Sequence, residues 1–108
     1  MVEKEKPKDE IWILRKALSR PNYAVMTLLL SKSPRTTREL YSILEKKFTR
    51  KTLIITLREL SLDLNVIQPT HIRTEKGYGL GYRLNPKMKD VVKGVQKLST
   101  IIESIIQE

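Results

Sequence analysis

The apolar positions of the chain repeat with two different periods, and the change of period divides it. From Asp9 onward Ile11, Leu14 and Leu18 recur at helical spacing, with Trp12 and Ile13 widening the stripe. Asp9 and Glu10 fall in the first turn and Arg15 and Lys16 near the end, as the helix macrodipole prefers. Arg20-Pro21-Asn22 is expected to close this helix. A second helix follows, with Tyr23, Met26, Leu29 and Leu30 on a common face, and the stretch from Ser31 to Arg35, including Pro34, breaks it. Thr36-Thr37-Arg38-Glu39 matches the capping box, in which hydroxyl and carboxylate satisfy each other's backbone donors. Leu40, Ile43, Leu44 and Phe48 then form the apolar stripe of a third helix. After the polar turn Thr49-Arg50-Lys51, a fourth helix over residues 51–64 carries Leu53, Leu57, Leu60 and Leu64 on one side. Its other faces hold Arg50, Lys51, Thr52, Ile55, Thr56 and Arg58.

Beyond Asn65 the period shortens. Val66 to Arg73 is rich in β-branched residues, although Pro69 confines it to an edge or a bulge. Glu75-Lys76-Gly77 supplies a turn, and Leu80, Tyr82 and Leu84 alternate with Gly79, Gly81 and Arg83, which predicts a hairpin with one apolar face. Asn85 and Pro86 then open a last helix in which Met88, Val91, Val95, Leu98, Ile102 and Ile105 recur every three or four residues. From Val91 to Ile105 the steps alternate four and three, the signature of a helical seam. Residues 1–8 lack such periodicity and are expected to form a flexible tail. The expected organisation is a tail over 1–8, a folded domain over 9–84 and a terminal helix over 85–108, in an α+β, mostly α class.

Composition narrows the function. The 108 residues include no Cys and one His (His71), which leaves no disulfide framework, thiol nucleophile, Cys-based zinc site or His-rich metal site. His71 is most simply a strand-surface residue. No Ser–His–Asp set or paired carboxylates stand out, so neither catalysis nor a cofactor is expected. The apolar run from Ala24 to Leu30 is far too short to span a bilayer, and no secretory leader is evident. A cytoplasmic protein is therefore expected. Lys and Arg number 21 against 12 Asp and Glu, a net charge of +9 that makes a polyanion the default partner. Between residues 11 and 58, eleven cations face only Glu39 and Glu45, whereas residues 94–108 carry Lys97 against Glu103 and Glu108.

Helix, helix, helix with a cap, tight turn, helix, hairpin, helix: this order resembles the winged helix-turn-helix DNA-binding family, especially small dimeric regulators of archaea and bacteria. Thr36-Thr37-Arg38-Glu39-Leu40, Leu57-Arg58-Glu59-Leu60 and Gly79-Leu80-Gly81-Tyr82-Arg83-Leu84 carry the resemblance. Many members have Gly before the first wing strand. Here Asn65, which tolerates the same left-handed conformation, takes that place.

The resemblance implies double-stranded DNA as partner, a nucleoid-associated role, a recognition helix in the major groove and a wing over the backbone or minor groove. Arg50, Lys51, Thr52, Ile55 and Thr56 would meet the groove, Arg73, Lys76 and Arg83 the backbone from the wing, and Arg35 and Arg38 a phosphate. Ile55 has a second reading as a core residue. Val91, Val95, Leu98, Ile102 and Ile105 would join a two-fold partner in a homodimer, with Ile11, Leu14 and Leu18 contributing. Two alternatives stay open: an architectural protein coating DNA without sequence preference, and a winged helix that binds proteins.

Overall fold

A computed structural model describes residues 9–107, so the expected tail over 1–8 lies outside the described residues. The chain is α+β and mostly helical, with one small antiparallel sheet. The first helix, α1 (Glu10–Ala17), is capped by Asp9, whose carboxylate accepts from the Trp12 amide at 2.9 Å. It stops before Arg20. Arg20 and Pro21 open α2 (Arg20–Ser31) instead of closing α1, because a proline in the first helical turn forfeits an N–H that would have no partner there. In α2 the buried residues are Asn22, Val25, Met26 and Leu29.

Arg35–Thr36 forms a two-residue strand, β1, which the sequence pattern does not announce. It leads directly into α3 (Thr37–Leu44). Thr36 caps this helix, its hydroxyl accepting from the Glu39 amide at 3.1 Å. The return half of the expected capping box is replaced by an ion pair: the Glu39 carboxylate lies 2.8 Å from Arg35 Nη1. Helix α4 (Arg50–Arg58) is capped by Thr49 and buries Leu53 and Leu57. The single helix expected over 51–64 is in fact α4 followed by a wider π-helical turn, Glu59–Asp63, closed by the Leu64 amide donating to the Glu59 carbonyl at 3.0 Å. One wide turn keeps both Leu60 and Leu64 in the core and turns Leu62 out, 73% exposed.

Asn65, at φ 53°, redirects the chain into β2 (Ile67–Thr74), which pairs along its whole length with β3 (Gly77–Leu84). The strand order is β1-β3-β2, so β2, with Pro69, is an edge as expected. Gly81 allows the third strand to join: a Cβ there would strike the Arg35 carbonyl and the Thr36 Cα. At the base of the hairpin the Asn85 amide donates to Val66 O, and its side chain donates to Asn65 O, both at 2.8 Å. One 3-10 turn, Pro86–Met88, precedes the terminal helix α5 (Lys89–Ile106).

The core gathers α2, α3, α4, the π turn and the base of the hairpin, with Val92 and Val95 of α5 sealing it against α2. Val95, only 5% exposed, therefore belongs to its own core and not to an outward seam, because the first turns of α5 lie on the domain. Beyond them α5 runs off the body. Leu98, Ile102 and Ile105 are 55%, 50% and 63% exposed. The Cα radius of gyration, 15.0 Å, exceeds the about 13 Å usual for a compact chain of this length, as that overhang requires.

Candidate nucleic-acid interface

Polar bonds hold the end of α4 from behind and tie the hairpin to α3. Behind α4, Asn22 of α2 is almost fully buried, and its Nδ2 donates to Glu59 Oε1 at 3.0 Å and to the Lys16 carbonyl at 2.9 Å. Lys16 Nζ lies 3.0 Å from the other Glu59 oxygen, so α1, α2 and the π turn meet at one carboxylate. Burial alone pushes the Glu59 carboxyl up. Hydrogen bonds from Asn22 and Lys16, with the Lys16 charge, outweigh that and hold it below its ordinary value. At the side, Thr37 Oγ1 donates to the Leu80 carbonyl at 3.2 Å, which ties the start of α3 to β3.

The surface so framed has three concavities around the exposed side of α3. One of about 430 Å³ runs from Thr36 and Arg38 to Lys76 and Leu80. A second, about 320 Å³, lies between α4 and the hairpin, with Ile54, Arg58, Pro69 and Tyr82 on its walls. The third, about 600 Å³, separates α3 from the start of α4 and is lined by Arg38, Ser42, Glu45 and Arg50. Thr37, Arg38 and Tyr41 each border more than one, so the three form one continuous face.

The expected contact residues differ in exposure and in the partners they already hold. Arg38, Lys51, Ile55, Arg73, Lys76 and Arg83 are exposed. Arg38, Lys51, Arg73 and Lys76 form no ion pair among the described residues, while Arg83 Nε donates across the strands to Gln68 at 2.8 Å. Arg50 is exposed but engaged. Its Nε donates to Glu45 Oε2 at 2.9 Å, and its guanidinium stacks 4.5 Å above the Tyr41 ring. Thr52 is half-buried, with its amide donating to the Thr49 hydroxyl.

Two expectations are corrected. Thr56 is 3% exposed and donates its hydroxyl to the Thr52 carbonyl at 2.8 Å, so it faces the core; it lies beside Leu53 and Leu57 on the inner side of α4. Arg35 is likewise internal, its side chain 11% exposed. It donates to the carbonyls of Leu28 and Lys32, to Ser31 and to Glu39, and braces the α2–α3 connection where a phosphate clamp was expected.

Ile54 and Arg58 belong to the same face and escaped sequence reasoning as contact residues. Ile54 is 45% exposed and Ile55 57%, so the reading of Ile55 as a core residue does not hold. The signal was present in the spacing: Lys51, Ile54 and Arg58 stand three and four residues apart, on one stripe of α4. No helix among the described residues is long and apolar enough to cross a membrane, and no cluster of His, Asp or Glu there has the makings of a metal site. No protein-family model, curated protein or solved structure matches the chain.

Proposed function

We propose that this chain is a DNA-binding protein of the winged-helix type, a homodimeric regulator of transcription that works at the nucleoid in the cytoplasm. In this reading α4 enters the major groove and the β2–β3 turn lies over the backbone or minor groove. The observation that carries it is a set of uncommitted cations on α3, α4 and the β2–β3 hairpin. Arg38, Lys51, Arg58, Arg73 and Lys76 are exposed without ion pairs among the described residues, while Glu39, Glu45 and Glu59 are committed to Arg35, Arg50 and Lys16. Glu75, beside Lys76, is the remaining acid of the turn. A surface of that kind neutralises phosphates and releases their counterions, which supplies sequence-independent affinity.

The homodimer rests on the apolar side chains left uncovered on two helices: Ile11, Leu14 and Leu18 of α1 and its end, and Leu98, Ile102 and Ile105 of α5. Two-fold pairing of α5 would present two α4 helices to successive major grooves, about 34–36 Å apart.

The test is a gel shift at fixed moderate salt on a short duplex recovered from a random pool. Lys51→Ala and Arg58→Ala are expected to weaken binding without altering thermal stability, and the recovered duplex to bind about 10³-fold or more tighter than random DNA. Unchanged binding by both variants refutes the interface, and a ratio near one reassigns the protein to an architectural role.

A further inference from the structure

We infer that α4 selects its DNA by the C5-methyl groups of thymine, read by Ile54 and Ile55. The inference deepens the proposed interface and rests on it. Lys51, Ile54, Ile55 and Arg58 form the solvent-facing stripe of α4: the two isoleucines lie three and four residues from the cation on either side. Side chains at those spacings share a helix face. The seven rises from Lys51 to Arg58 span about 10.5 Å of helix at ~1.5 Å each. That length covers about three base pairs at ~3.4 Å each. The stripe therefore offers a cation, an aliphatic centre and a second cation over roughly one short step of groove.

What the stripe omits decides what it can read. It holds no Asn or Gln, the partners of adenine, and no Asp or Glu, the acceptors for the cytosine amino group. The two cations can reach guanine O6 and N7, or phosphate. Between them only β-branched hydrocarbon faces outward, and the one feature of a major-groove edge complementary to hydrocarbon is the thymine methyl. The flanking charges favour DNA over an apolar protein segment as the occupant, since Lys51 and Arg58 have no acidic partner among the described residues. The expected half-site is thymine-rich at its centre, with guanine at one or both ends.

The experiment makes the tightest-binding short duplex from the random pool in two forms, one with thymidine and one with deoxyuridine at every T. The forms differ only in the C5 methyl. The deoxyuridine form is expected to bind more weakly, by about fourfold for each contacted methyl. Ile54→Ala and Ile55→Ala should lower affinity for the thymidine form towards that of the deoxyuridine form, and leave the latter nearly unchanged. Both sites are exposed, so thermal melts check that the variants fold like the native chain. Equal binding of the two forms, still sensitive to Lys51→Ala, overturns methyl readout while the DNA interface stands. A thymidine preference that survives both isoleucine substitutions also overturns it, and leaves the apolar stripe to a protein partner. Failure of both forms to bind at low salt overturns the interface and the inference together.

Discussion

Asn22 donates to Glu59 at 3.0 Å across 37 residues of sequence, and by that bond α2 holds the C-terminal end of α4. Asn22 is 2% exposed, and its amide also satisfies the Lys16 carbonyl at 2.9 Å. Removing it leaves Glu59 Oε1 without its donor and the Lys16 carbonyl with only the Ser19 amide, in partly buried surroundings. Asn22→Ala is therefore expected to lower unfolding free energy by about 1–3 kcal/mol, as urea denaturation would measure.

The same carboxylate makes stability depend on pH. The Glu59 carboxyl sits below its ordinary value in the folded chain. Its contribution is thus complete above the unfolded value of about 4.3 and disappears as pH falls through the lower, folded one. The native chain should lose stability more steeply than Glu59→Gln between about pH 5 and pH 3. Parallel acid limbs for the two proteins would contradict this.

Arg35 and Lys51 are both cations of the helical half, yet their substitutions should diverge. Arg35→Ala removes hydrogen bonds to Leu28, Lys32, Ser31 and Glu39, and should cost about 1–3 kcal/mol of stability while leaving the salt dependence of DNA binding unchanged. Lys51→Ala should leave stability unchanged and reduce the slope of log affinity against log salt by about one. Melting curves and a salt titration read the two effects separately.

Much of this architecture was legible in the sequence, and the failures have physical causes. Leu53, Leu57, Leu60 and Leu64 identified the inner side of the fourth helical segment because burial follows periodicity, and all four are buried. Asn65 carried the left-handed turn, at φ 53°. A two-residue strand such as β1 has too few positions to display a period; only Gly81, which must lack a Cβ for Arg35 to approach, marks it. Thr56 and Arg35 were misplaced because residue type suggested solvent, while their polar atoms are satisfied inside by backbone carbonyls. Leu80, on the apolar face that alternation predicts, is 66% exposed, at the end of the hairpin where residues 73–78 are all exposed too.

Substitutions on α5 should separate the core from the overhang. Val95→Glu places an unpaired charge at a site 5% exposed, and is expected to unfold the domain at a cost on the order of 3–5 kcal/mol. Ile102→Glu lies on the uncovered length, 50% exposed, and should leave the domain folded but monomeric in light scattering. A native chain that is itself monomeric at all concentrations would remove the basis for the homodimer.

The small sheet limits how copies of this chain can meet. Its outer strands are β1, two residues long, and β2, in which Pro69 has no N–H to give. Neither offers the uninterrupted row of donors and acceptors along which an incoming strand could zip. Strand addition between neighbouring copies into continuous β-structure is thereby disfavoured, and helix-to-helix contact is the route left for any pairing between them.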